Sequence, residues 1–210
     1  MLLIVWLTVT VVGTLLYATL VEYLVHRYLD HRPFKLFGWH PRLFVYLYES
    51  HSLTHHELYT SGESYIYNGK VEPMDWIDVP LFVWSHVSVA PVYIMVGSLL
   101  GWPCLLASFV YITFHALVLY SMIHYAMHNP RGSIWERLFF IRHLNLHHWL
   151  HHRHQHKNYA FTYPIFDYLF GTKWKGTAAE RDEFERILRL RAAPRMEGFP
   201  RELSSREQVS

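Results

Sequence analysis

LLIVWLTVTVVGTLLYATLVEYLVH occupies residues 2–26. Its first twenty positions carry no charge, which matches the roughly 20 residues an α-helix needs to cross a hydrocarbon core. No basic residue precedes Arg27. A secretory leader would need a basic start and a small-residue cleavage site. The run passes instead directly into Glu22, Tyr23 and His26. The expectation is a retained transmembrane helix that protrudes from the bilayer to about residue 31. Pro33 ends it by pushing Arg32 out of helical geometry.

Two further apolar segments, 79–100 and 102–123, are separated by Gly101 and the Trp102-Pro103 step. They read as a helical hairpin with a kink at Pro91. Composition agrees with a membrane protein. Of 210 residues, 51% are hydrophobic and 17% aromatic, while only 17% are charged, below the roughly 25% usual for soluble domains. A net charge of +2 is too near balance to imply a nucleic acid or other polyanionic partner. The single cysteine, Cys104, excludes an intrachain disulfide and a cysteine-rich zinc site.

Lys and Arg set the orientation. None occurs before Arg27 and none between Lys70 and Arg131. The positive-inside rule then puts Met1 outside, and the histidine-rich segments and the C-terminus in the cytoplasm. The expected architecture is all-α: about three transmembrane helices, one span plus a hairpin, with a cytoplasmic helical cap. Residues 1–175 form one membrane-embedded unit, and 176–210 a polar, partly helical tail. Residues 34–48 suit an interfacial helix, and 179–192 an amphipathic one.

Histidine is the outlier, with 17 residues. His26 and His31 form H-x4-H. His51, His55 and His56 form H-x3-H-H. His124 and His128 form H-x3-H. His148, His151 and His152 form H-x2-H-H, with His143, His147, His154 and His156 around them. Residues four apart share a helix face. His51/His55, His124/His128 and His148/His152 should therefore each aim two rings at one point, with His56 and His151 offering a second point nearby. That suits two metal ions. His26 and His31 are about 140° apart on an ideal helix, so they cooperate only if the helix ends or tightens between them. His86 and His115 lie within the hairpin, with functional and packing roles equally open.

Imidazole suits zinc, copper, iron and nickel. Ten ligands exceed one zinc site, which usually closes with four. No Glu-x-x-His pair of the ferritin-like di-iron kind occurs.

These residues match a known pattern. Glu22-Tyr23-Leu24-Val25-His26-Arg27 and His31, His51 with His55-His56, His124 with His128, and His148 with His151-His152 resemble the fatty acid hydroxylase / sterol desaturase superfamily. Asn158-Tyr159-Ala160-Phe161-Thr162, Pro164, Asp167 and Phe170-Gly171-Thr172 look like the segment after that family's last box. The resemblance spans residues 20–172. It departs in the second box, where three residues separate His51 from His55 and many members have two. The last box has a second register, His143, His147 and His148; the step to Asn158 favours His148, His151 and His152. In the second register's place, His147 and His156 become supporting or exchangeable ligands.

The resemblance implies an integral-membrane enzyme with two iron ions, whose place zinc can take in structures. It uses O2 to hydroxylate an unactivated C–H bond of a lipid: fatty acyl, sphingolipid or sterol-like. It implies ten metal ligands: His26, His31, His51, His55, His56, His124, His128, His148, His151 and His152. No other catalytic residue is needed. Asp30, Glu22, Glu57 and Asp167 are candidates to orient imidazole N–H groups. Trp76, Trp84, Phe161 and Tyr163 are candidates to line lateral lipid access. Electrons must come from a separate cytochrome b5-like or ferredoxin-like donor. A desaturase with the same metal site is one alternative. The other is a zinc-binding or zinc-transporting membrane protein without catalysis.

Overall fold

A computed structural model describes residues 1–66, 79–129, 134–160 and 162–192. Among them there is no strand, only an isolated bridge between Leu36 and Trp39. Helix α1, Leu2–Asp30, is long and apolar enough to cross a membrane, as is α5, Trp102–His128. Between them lie α3, Val79–Ser88, and α4, Ala90–Leu100. Phe82–Ser88 and Ala90–Leu100 are bent by 50° and make a third candidate span if taken together. The break falls just before Pro91, which cannot donate a backbone hydrogen bond, so the expected kink is present.

The helices are ordered by short polar contacts. Thr14 Oγ1 lies 3.0 Å from Ser108 Oγ. Ala18 packs with Ile112, and His115 Nε2 lies 3.2 Å from a Glu22 carboxylate oxygen. Residue numbers rise together along both helices, so α1 and α5 are parallel and end on the same side. The bent pair returns the chain between them. A turn at Gly101, with φ +82°, leads into α5. Gly97 lets α4 and α5 meet closely: a Cβ there would come within 2.6 Å of Leu105 Cδ1.

The candidate spans bury small polar residues beside apolar ones and leave many large apolar side chains exposed. Thr10, Thr14, Thr19 and Ser108 are buried, whereas Ile4, Val9, Val12, Ile94, Leu99 and Val110 are exposed. Small polar residues between helices and large apolar ones outside are what lipid-solvated helices adopt.

The rest of the chain caps the common end of α1 and α5. The expected interfacial helix over 34–48 begins only after Pro41. Upstream, Phe37 (φ 51°) and Gly38 (φ 82°) make a tight turn closed by Leu36–Trp39 backbone bonds, which a helix cannot contain. Helix α2 then runs through Arg42–Tyr48, a π-helical Glu49–His55 and a last turn, His56–Leu58. Helix α6, Phe139–Arg153, carries the densest histidines, and α7, Ile165–Leu169, is short. Helix α8, Ala178–Ala192, is the expected amphipathic one. It packs Phe184 and Ile187 against Trp149, Leu150, Tyr65 and Ile66.

Phe184 is 2% exposed. Phe184→Ala should cost about 3–5 kcal/mol, read as a lower unfolding midpoint of the detergent-solubilised protein. An unchanged midpoint would mean that α8 contributes nothing to the stability of the cap.

Candidate metal centre

All ten expected ligand histidines converge. The ring nitrogens of His26, His31, His51, His56 and His151 lie within 4.8 Å of one another, and so do those of His55, His124, His128 and His148. His152 completes the second group: its Nε2 is 3.1 Å from His148 Nε2 and 3.2 Å from His55 Nε2. The two cages share a wall. The His56 and His152 rings lie 4.3 Å apart, and His51 stacks on His55 at 5.2 Å. Consecutive residues on a helix point about 100° apart. His55 and His56 thus divide between the cages, and so do His151 and His152.

The local backbone corrects one expected pairing. His51 does not share a target with His55; it faces His56, with Nε2 atoms 3.0 Å apart. The cause is the π-helical turn over Glu49–His55, where the His56 N–H donates to the His51 carbonyl. Such i→i+5 bonding stacks residues five apart. The same device joins His26 to His31, whose Nε2 atoms are 3.1 Å apart across the π-helical His26–Asp30. The helix widens after His26 and ends at Asp30, so the expected ending between the two histidines is present, with a π-helical turn leading to it. His124/His128 and His148/His152 pair at four-residue spacing as expected, because their helices are α-helical there.

Four imidazoles are fixed by backbone carbonyls. His151 Nδ1–H donates to Lys157 O at 2.8 Å, and His128 Nδ1–H to Tyr65 O at 2.7 Å. His26 Nδ1–H donates to Tyr159 O, and His152 Nδ1–H to Tyr59 O. Each cage holds two such rings. With the proton on Nδ1, the Nε2 lone pair is bare and aimed inward. His151 Nε2 lies 2.9 Å from His31 Nε2, and His128 Nε2 lies 3.1 Å from His148 Nε2. His31 and His148 can donate across these gaps when they carry a proton on Nε2, and a cation between the rings takes both lone pairs in place of that proton. An ion bonded to imidazole at about 2.1 Å holds nitrogens at right angles about 3 Å apart. Each cage could therefore hold a metal ion. No carboxylate joins either group among the described residues, so the donor set suits imidazole-binding metals and not magnesium or calcium.

Of the four acids expected to orient the rings, none is seen bonding a cage imidazole. Backbone carbonyls take that role. Asp167 works one step back. Its carboxylate accepts from the Tyr159 and Ala160 N–H groups, Thr172 Oγ1 and His147 Nε2. It thereby holds the strap whose Tyr159 carbonyl fixes His26. Burial alone would raise the Asp167 pKa, but these hydrogen bonds outweigh it and hold the carboxyl below its ordinary value. Glu22 bonds Thr162 and His115. Glu57 is exposed, and Asp30 accepts from Ser52 through its backbone. Sequence spacing gave no sign of the carbonyl acceptors, because any residue can supply one.

The alternative register fails. His147 accepts from Lys173 Nζ at 2.6 Å through Nδ1 and donates to Asp167 at 3.1 Å through Nε2, so both nitrogens are engaged outside the cages. His143 stacks on Phe139. His156 is exposed, and His154 pairs with Glu180 at 2.6 Å. None of these joins either group of ring nitrogens. His86 sits between Tyr93 and Phe109 in a packing role. Trp84 packs on Phe44, and Tyr163 on Phe140; Trp76 and Phe161 lie outside the described residues.

Burial and neighbouring imidazoles disfavour protonation. Burial first, then His151 and His56, pull His31 down to about 2. Burial pulls His151 to about 4, against the raising effect of the Lys157 carbonyl. His51, His55, His148 and His152 are also held well below the ordinary value, mainly by burial.

No protein-family model, curated protein sequence or solved structure matches the chain.

The lowered pKa values carry a sign. Above pH 6.5 these rings are neutral in both the folded and unfolded states. As pH falls from there toward about 4, the unfolded chain takes up protons that the cages refuse. The metal-free protein should therefore lose thermal stability steadily between about pH 6.5 and pH 4. A melting temperature flat over that window would show that the rings protonate freely and are not buried together.

Proposed function

We propose that this chain is an integral-membrane oxidoreductase that holds two iron ions and uses O2 to hydroxylate an unactivated C–H bond of a lipid. One observation carries the reading: ten imidazoles form two abutting cages, joined by no carboxylate among the described residues, at the common end of helices long and apolar enough to cross a membrane. When bound, iron supplies the redox chemistry that C–H oxidation demands and that zinc lacks. Every other contribution comes from the chain. The carbonyls of Tyr59, Tyr65, Lys157 and Tyr159 set four rings in their tautomers before any ion arrives. Burial keeps bulk water from the cages.

The same reading gives the membrane its part. The positive-inside rule places the cages on the cytoplasmic side, with Met1 outside. A lipid then reaches them laterally, and a separate cytochrome b5-like or ferredoxin-like donor supplies electrons. A desaturase would use the same cages, and product composition separates the two. A zinc carrier would be expected to bury its ligands near the midplane of the spans, whereas these cages gather where α1 and α5 end.

The test combines metal analysis with a lipid assay. Purified protein should carry about two irons per chain. With O2 and a reductant, membranes should convert a member of a lipid panel to a product with one added oxygen. Loss of two hydrogens would make it a desaturase. Tight zinc with no O2 consumption would sink the oxidoreductase reading. His151→Ala should empty the first cage and His124→Ala the second, with membrane insertion intact and product formation lost. His154→Ala, which touches neither cage, should retain metal.

A further inference from the structure

A second cavity lies outside the cages. It has a volume of about 270 Å³ and is bounded by α6, Tyr168 and the segment from Lys173 to Arg181. Five of its lining side chains are basic: His143, His147, Lys173, Lys175 and Arg181. None is acidic. The metal reading uses none of them.

Two carboxylates of the surrounding segments, Asp167 and Glu180, are engaged elsewhere. Asp167 lies beyond His147, its oxygens taken by Tyr159, Ala160, Thr172 and His147 itself. Glu180 is held by His154, Arg153, Thr177 and Trp174. The cavity's wall thus carries lysine and arginine side chains and, among the described residues that line it, no carboxylate.

Its cations are also held in place. Lys173 Nζ donates to His147 Nδ1 at 2.6 Å and sits 5.3 Å from the centre of the Tyr168 ring. That arrangement leaves further ammonium protons for a ligand. Arg181 donates to the Lys175 and Gly176 carbonyls through Nη1, which leaves other guanidinium protons for a ligand. A guanidinium and two ammonium groups facing one small space suit a compact anion with several acceptor oxygens.

The surroundings are apolar and outward-facing. Phe139, which stacks on His143, is 87% exposed, and Leu169, beside Tyr168, is 69% exposed. A basic hollow with an apolar rim matches an amphiphile whose head is an anion.

We propose that this cavity is a phosphate-binding site, fitted to a phosphate monoester such as an anionic lipid headgroup. The site is separate from the cages and does not depend on the oxidoreductase reading. Binding is measured on the full chain, purified in neutral detergent with its metal content recorded.

Calorimetric titration with inorganic phosphate should give saturable binding to the wild type. The Lys175→Gln/Arg181→Gln variant alters two exposed side chains. It should bind about tenfold or more weakly for each charge removed. Lys35→Gln/Arg42→Gln, an equal loss of charge elsewhere, should bind like the wild type. In phosphatidylcholine nanodiscs doped with phosphatidic acid, tighter retention of phosphatidic acid by the wild type than by the cavity variant identifies the lipid as the source. Phosphate binding without that retention identifies a free phosphate instead. The proposal is overturned if phosphate does not bind. It is overturned equally if the cavity variant and the Lys35/Arg42 control lose affinity alike.

Discussion

Bare imidazole lone pairs brought together in a dry space are the constraint that organises this protein. Among ten rings with nitrogens about 3 Å apart, the four whose Nδ1 protons are spent on carbonyls have none left on Nε2 to donate inward. Something must hold them there. The structure does so from behind: Tyr159 and Lys157 fix one ring each for the first cage, Tyr59 and Tyr65 for the second. The cages are thus prepared by backbone that is itself pinned. Asp167 ties down the N–H groups of Tyr159 and Ala160, and the Asn158 side chain bridges to His147 and Trp174. The cost of ordering the rings is met by folding, which is what makes an ion site tight and selective in geometry.

The π-helical turns are the second half of that device. An α-helix offers pairs at three and four residues. Two cages sharing a wall need ligands that diverge within one helix and still reach partners on the same side. Widening the helix at His26–Asp30 and Glu49–His55 moves the pairing to five residues. His55 is then released to the second cage while His51 and His56 serve the first. Such turns are uncommon and concentrate at functional sites because they disturb the regular ladder. Here two of them bear cage ligands directly.

The fold was largely readable, because a long uncharged apolar run has few readings other than a helix long enough to cross a membrane. Residues 2–26 announced α1, the kink at Pro91 was written in the residue itself, and 179–192 carried the stripe of α8. Identities of the cage residues were readable too, since histidine has few reasons to recur at four sites in an oily chain. Which ring joins which cage was not. That depends on whether a turn is α or π, and the H-x4-H spacing of His26 and His31 was the one visible sign of it. Residues 34–48 misled because aromatic content speaks of an interface but says nothing of the Phe37–Gly38 turn. The carbonyl acceptors left no trace at all, being common to every residue type.

The cages sit where the long apolar helices α1 and α5 end. Buried imidazoles in mid-bilayer would need their second nitrogen satisfied by a helix partner, since lipid offers none. Where α1 and α5 end, the chain leaves regular helix and loop carbonyls become free to accept. Lys157, Tyr159 and Tyr65 lie in non-helical or 3₁₀ segments, and Tyr59 follows the last turn of α2. Histidines at the helix ends and acceptors in the loops therefore meet only in this layer.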